Sequence, residues 1–131
     1  MAEELDDEVV ELASRMFDLA RTGATAELAA FVDAGVPPNL TNGKGDTLLM
    51  LAAYAPHPAT VGMLVEGGAD TARVNDRGQT ALGAAVFRQS AESVAALLAA
   101  GADPDLGSPS AVDIATFFGL PEMLTLLRPP D

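Results

Sequence analysis

Gly45-Asp46-Thr47-Leu48-Leu49-Met50-Leu51-Ala52-Ala53 is answered 33 residues later by Gly78-Gln79-Thr80-Ala81-Leu82-Gly83-Ala84-Ala85-Val86. The glycine, the hydroxyl and the main apolar positions return together. Further along, Gly67-Gly68-Ala69-Asp70 is answered by Ala100-Gly101-Ala102-Asp103, and Val61, Leu64 and Val65 return as Val94, Leu97 and Leu98. A fixed period of this size marks a stack of repeated supersecondary units, because one unit cannot bury its apolar face without neighbours.

The register extends both ways. Counting back, Gly68 lands on Gly35, Val61, Leu64 and Val65 land on Leu28, Phe31 and Val32, Pro56 on Gly23 and Thr47 on Ser14. The first unit lacks the Gly-x-Thr opening and starts instead with Leu5, Val9, Leu12, Met16 and Leu19 at helical spacing. Counting forward, Thr80, Leu82, Ala85, Val94 and Leu97 map onto Ser110, Val112, Ala115, Leu124 and Leu127 at a shift of 30, so the last connecting loop is three residues shorter. The chain thus reads as one domain of about four units, 5–38, 39–72, 73–105 and 106–128. The first and last are atypical, as the water-facing ends of a finite stack require.

Each unit reads as two short antiparallel helices and an extended connection. The expected pairs are Thr47–Tyr54 with Pro58–Glu66, Thr80–Phe87 with Ala91–Ala99, and Ser110–Phe118 with Pro121–Arg128. Thr47, Thr80 and Ser110 stand where an N-cap hydroxyl is needed. Gly68 and Gly101 stand where a left-handed residue ends the second helix. Asn42-Gly43-Lys44-Gly45 and Asn75-Asp76-Arg77-Gly78 have the Asn-first, Gly-fourth pattern of a type I turn and are expected to project as finger tips.

These units resemble ankyrin repeats, whose pattern runs D-x-x-G-x-T-P-L-H-x-A-A-x-x-G-H and then V-x-x-L-L-x-x-G-A-D-x-N. About ten positions agree at fixed offsets in each of two units, 42–70 and 75–103, and with the two caps the likeness covers nearly the whole chain. It implies an all-α ankyrin-repeat solenoid of helix–turn–helix units with β-turn fingers, of the small stand-alone bacterial type. The chain departs from the pattern in places. The Pro of T-P-L-H is Leu48, Ala81 and Ala111, and its His, which ties neighbouring units together, is Met50, Gly83 and Asp113. The Gly before the second helix is Pro56 and then Gln89, so that turn is expected to differ; Gly119 keeps it.

Composition narrows the function. Nineteen acidic residues face seven basic ones, a formal charge of −12. A field of that sign repels phosphate backbones and anionic head groups, so neither nucleic acid nor a membrane surface is expected as a partner. Much of the acid lies in residues 1–33, where it reads as a solvated helix face with carboxylates at the helix start. There is no cysteine, which removes disulfides, zinc-thiolate sites and thiol catalysis. The acidic start Met1-Ala2-Glu3-Glu4-Leu5-Asp6 does not have the form of a secretory signal, and a cytoplasmic monomer is expected.

Catalytic chemistry has little to stand on. The one histidine, His57, sits in Pro56-His57-Pro58 at the start of a second helix, with no Ser-His-Asp or Cys-His set around it. There is no phosphate-binding glycine loop, and Asp6-Asp7 and Asp103-Pro104-Asp105 lack the alternating ligands and Gly of a calcium loop. No enzyme activity and no cofactor or metal are expected.

The resemblance implies instead a groove lined by two residues late in each first helix and by the finger tips. Carried over position by position, the helix residues are Arg21 and Thr22, Tyr54 and Ala55, Phe87 and Arg88, and Phe117 and Phe118. Tyr54, Phe87 and Phe117 share one position in three consecutive units. The finger tips add Lys44, Asp46, Asp76, Arg77 and Gln79, with Thr41, Gly43 and Val74. Four of the chain's six aromatic residues and four of its seven cations fall on this face. Aromatics and Arg dominate interface energetics, so the row is read as a surface for a protein client. The alternative is that the rings pack on the fingers, and for Phe118 both readings stand equal. A regulatory, inhibitory or immunity-type subunit of an enzyme is a second reading, and a small-molecule or metal-binding module a third.

Overall fold

The computed structural model describes residues 2–129, with side chains from Asp7 onward. The described residues form eight helices in four antiparallel pairs: α1 (Ala2–Thr22) with α2 (Thr25–Asp33), α3 (Leu48–Tyr54) with α4 (Pro58–Glu66), α5 (Ala81–Phe87) with α6 (Ala91–Ala99), and α7 (Ala111–Phe117) with α8 (Pro121–Leu127). The helices α1, α3, α5 and α7 pack side by side as an inner row, and α2, α4, α6 and α8 form the outer row behind them. This is an all-α solenoid. Its only pairings of extended backbone among the described residues are single bridges, Thr41 with Thr47 and Gly107 with Ser110.

Local chemistry sets the helix ends. Thr47, Thr80 and Ser110 accept the N–H of Met50, Gly83 and Asp113 at 3.0–3.1 Å, and Asp113 returns the bond to the Ser110 N–H, which closes a capping box. Pro58 and Pro121 open α4 and α8, where a missing N–H is harmless. Three outer helices end in the same way. Val36, Ala69 and Ala102 donate to Phe31, Leu64 and Leu97, while Gly35, Gly68 and Gly101 adopt positive φ and donate to Val32, Val65 and Leu98. This pair of bonds is the Schellman motif.

The turn between inner and outer helices departs from the sequence expectation. The same six-to-one hydrogen bond closes it in all four pairs, from Ala24 to Leu19, His57 to Ala52, Ser90 to Ala85 and Leu120 to Ala115, at 2.8–3.0 Å. Gln89 takes the left-handed conformation (φ 57°) that glycine takes at Gly23 and Gly119. Only the Pro56 turn is built differently, with a cis Ala55–Pro56 bond. The closing bond belongs to the helix pair rather than to the residue at its apex, so the turn survives loss of the glycine.

Buried side chains repeat with the units. Leu49, Ala52, Val61 and Leu64 in one pair and Leu82, Ala85, Val94 and Leu97 in the next are at most 1% exposed, and Ala115 and Leu127 continue the series. Leu28, Met16 and Ala20 fill the equivalent layer of the first pair. The apolar stripe of α1 is shorter than its spacing suggests. Met16 is buried and Leu12 and Leu19 are half-buried, but Val9 and Val10 stand in solvent, and Leu5 lies outside the described side chains. At 1.5 Å per residue, α1 is three times the length of α3 and outruns the helices it packs against.

Neighbouring units are tied through the fingers rather than through the replaced histidines. Asn75 Nδ2 donates to Asp46 Oδ1 at 2.7 Å, Asp76 N to the Lys44 carbonyl at 3.0 Å, and Ser108 N to the Gly78 carbonyl at 2.8 Å. The shortened last loop therefore still reaches its neighbour. That approach explains Gly78: a Cβ there would lie 2.6 Å from the Ser108 carbonyl oxygen. At the first junction His57 Nε2 meets the Arg21 carbonyl at 2.9 Å, and Thr25 and Thr60 share a hydroxyl–hydroxyl bond of 2.7 Å.

Candidate functional site: an aromatic groove under the fingers

Short inner helices carry their last residues to the open face of the stack. Tyr54 and Phe87 end α3 and α5, and their rings lie nearly parallel, 5° apart in tilt with centroids separated by 6.3 Å. The next ring against Phe87 is that of Phe118, not Phe117: it meets Phe87 edge-on at 5.5 Å. Phe117 contacts only Phe118 within the row, at 5.0 Å, and is 83% exposed. The row thus runs Tyr54–Phe87–Phe118, with Phe117 at its open end.

A single rule produces this arrangement. The residue that follows α5 and the one that follows α7 each lie against the ring of the preceding unit. Arg88 places its guanidinium 5.4 Å from the Tyr54 ring centroid, and Phe118, at the equivalent position, covers Phe87. Cation–π and edge-to-face contacts of this kind contribute roughly 0.5–1.5 kcal/mol each. Among the described residues no further unit covers Phe117. The signal was present in the alignment of Phe118 with Arg88, but equivalence of position alone selected Phe117.

Between this row and the fingers lies a groove of about 560 Å³. Tyr54, Phe87 and Phe118 form one wall, Lys44, Asp46, Arg77 and Gln79 the other, and Gly83 and Ala84 part of the floor. Gly83 stands where the family pattern has its histidine and is itself buried, with the Ile114 side chain of the next unit and the Thr80 hydroxyl packed close against it. The sequence alone marks Gly83 only as a lost link between units. Four other expected site residues do not line the groove. Arg21 stays on α1, paired with Asp18 at 2.6 Å, and Asp76, Arg88 and Phe117 sit at its margins. The other two aromatics, Phe17 and Phe31, are in or against the core.

The fingers are rigid because each asparagine folds its own turn. Asn42 Oδ1 accepts the N–H groups of Lys44 and Asp46, and Asn75 Oδ1 those of Arg77 and Gln79. Asp46 is held at both oxygens, by Asn75 at 2.7 Å and by Asn42 at 3.3 Å. Gln79 Oε1 accepts from Asn75 Nδ2 at 2.8 Å, so what remains for an incoming molecule is ring faces and edges, two cationic tips and the Gln79 amide NH2. These can bind; they include no nucleophile with an adjacent base. His57 lies at the first junction, bonded to the Arg21 carbonyl. No group of three or more His, Cys, Asp or Glu is arranged to hold a metal among the described residues, and no described helix is long and apolar enough to cross a membrane.

Comparison with known proteins agrees with this architecture. The chain is similar to a Pseudomonas aeruginosa protein named as an ankyrin repeat protein, with 52% identity over 58 residues. That match takes in 44% of this chain and spans only 34%, about a third, of the relative's length. A family model described as ankyrin repeats, in three copies, matches residues 16–108, which leaves the α7–α8 pair outside the match. Ankyrin repeats generally mediate protein–protein contacts and are generally non-catalytic. With the helix pairs, the fingers and a match over well more than half of its length, the chain belongs to the ankyrin repeat family.

Proposed function

We propose that this protein is a non-catalytic interaction module that receives a protein client in the groove between its fingers and its inner helices. One observation carries the reading: four of the six aromatic rings stand exposed in one connected row, three of them lining the groove and Phe117 at its margin, in a chain whose other large apolar side chains are mostly packed away. Such a row is an unfavourable way to cover a solvent-facing surface, whereas aromatic and Arg anchors are what interface cores are made of. Both walls are held in place before any partner arrives, which lowers the ordering cost of binding. The charge of −12 supports a protein rather than a nucleic acid or an anionic membrane as partner, with the chain acting as a cytoplasmic monomer.

A photo-crosslinking residue placed at Gln79, on the groove wall, tests this in extracts of the native source. A discrete crosslinked client is expected there, lost when Phe87 is replaced by Ala, and absent when the crosslinker sits at Glu66 on the outer row. Equal labelling from Gln79 and Glu66, or labelling indifferent to Phe87→Ala, would place the client elsewhere. Light scattering of the isolated protein checks the monomer.

A further inference from the structure

We infer that the groove's occupant is an extended peptide segment of the client that carries a carboxylate next to an apolar or aromatic side chain. This rests on the reading of the groove as the client surface and adds the chemistry of what binds there.

The chain has seven basic residues. Four are ion-paired away from the groove: Arg15 with Glu27, Arg21 with Asp18, Arg73 with Asp70 and Arg128 with Asp105. The other three are Lys44, Arg77 and Arg88, and none has an ion-pair partner among the described residues. All three stand on or beside the groove, Lys44 and Arg77 on its finger wall and Arg88 over the Tyr54 ring. In a chain with nineteen acids, an unpaired cation is the exception, and here the exceptions converge.

The nearby acids offset them only in part, and their oxygens are turned to the fingers themselves. Asp46, the acid on the same wall, has both oxygens engaged by the amides of Asn42 and Asn75. Asp76 does not line the groove, and its carboxyl lies against the neighbouring finger beside Gly45. The acids of α1 belong to the far end of the stack, and exposed charges are largely screened beyond about 8–10 Å at physiological salt. The groove and its margins thus hold three cations, Lys44, Arg77 and Arg88, against two carboxylates, Asp46 and Asp76, a small local excess of positive charge on a protein of formal charge −12. A basic segment would bring like charges to Lys44 and Arg77, whereas a carboxylate gains charge-assisted hydrogen bonds from both.

Shape selects an extended chain. The ring wall and the cationic wall lie on either side of a floor that includes Gly83 and Ala84. An extended segment sends successive side chains to opposite sides. It can set an apolar residue on the Phe87 and Phe118 rings and an acid at Lys44 and Arg77 together. The backbone hydrogen bond from Asp76 N to the Lys44 carbonyl holds the two cationic fingers side by side, so both reach one stretch of chain.

Phage panning with a random library of linear peptides tests the inference, using the full chain, its Lys44→Glu/Arg77→Glu double variant and its Phe87→Ala variant, each checked for an unchanged fold by circular dichroism. The expected result is enrichment on the parent of peptides that pair Asp or Glu with Phe, Leu or another apolar residue, lost on both variants. A resynthesised winner should bind roughly tenfold more weakly when its acid is changed to the amide, as removal of a charged hydrogen-bond partner does. Winners without acids that still require Phe87 would overturn the carboxylate while leaving the groove reading intact. Basic winners, or no enrichment at all on the parent, would overturn it as well. Winners indifferent to all three substitutions would sink the groove reading too.

Discussion

The stack interior and the groove face are built from the same repeat, yet they treat their side chains in opposite ways. Between the inner and outer rows, Leu49, Leu64, Leu82 and Leu97 are sealed from water, and the polar groups at the helix ends are capped. On the groove face, rings stay exposed and cations stay unpaired, although partners for both are abundant in the chain. The interior is what makes the repeat a stack. The groove carries features that the stack does not need, and those are where recognition is to be sought. If the division is real, substitutions should separate cleanly into those that change stability and those that change binding.

The largest separation is expected between Leu97 and Phe87. Leu97→Ala removes a fully buried side chain from between α6 and its neighbours and should lower unfolding free energy by roughly 2–5 kcal/mol, with Leu64→Ala similar. A loss below about 1 kcal/mol in denaturant titrations would mean these leucines do not seal the stack. Phe87→Ala should weaken client binding by about 1–3 kcal/mol by calorimetry. Its stability effect should be much smaller than that of Leu97→Ala, because the ring is already 44% exposed. Glu66→Ala, on the outer row, is the control and should leave binding within about 0.5 kcal/mol. Equal loss of stability at positions 87 and 97 would erase the distinction between the two regions.

How much of this was legible in the sequence depended on how local the cause was. Caps at Thr47, Thr80 and Ser110 and the outer-helix stops at Gly68 and Gly101 are decided within a turn of chain, and the helix limits fall within one residue of expectation. The core positions followed from the period, because every unit seals the same face. What was not legible depended on neighbouring units. Phe118 joins the row because a following unit folds its residue back over the previous ring. The links between units moved to Asn75 and Asp46, where a pattern centred on the family histidine does not look. Val9 is exposed because α1 outruns its neighbours, which the helical spacing of its own residues cannot reveal.

Ser93 sharpens the comparison from inside the stack. It is fully buried on α6, and its hydroxyl is the one buried side-chain polar atom without a partner among the described residues. The cause is visible one unit earlier. Thr60, at the equivalent position of α4, pairs its hydroxyl with Thr25, the first residue of α2. The residue equivalent to Thr25 for Ser93 is Pro58, which has neither a hydroxyl nor an N–H. Ser93→Ala should therefore raise stability by about 1 kcal/mol, since it removes an unsatisfied group at little change in volume. Client binding should not move. A destabilisation seen by thermal melting would mean the hydroxyl has found a partner after all.

The smallest expected effect lies at the border of the two regions. Gln89 follows Arg88, which covers the Tyr54 ring, and precedes Ser90, the cap of α6. It holds a left-handed backbone (φ 57°) that Gly23 and Gly119 hold at the equivalent turns. For a residue with a Cβ that conformation costs roughly 1–2 kcal/mol. Glycine removes the strain but adds freedom to the unfolded chain, which takes back about 0.4–1 kcal/mol. The Gln89 side chain is exposed and makes no hydrogen bond among the described residues, so nothing else is lost. Gln89→Gly should thus stabilise the fold by about 0.5 kcal/mol, resolvable as a shift in the denaturation midpoint at constant slope. The turn is closed by Ser90 N on the Ala85 carbonyl, a bond between helix ends that glycine leaves in place, so Arg88 and Phe87 should keep their positions and the client its affinity. A fall in affinity without a fall in stability would show that the strained residue is set there for the groove, and the border between the two regions would have to be drawn past Gln89.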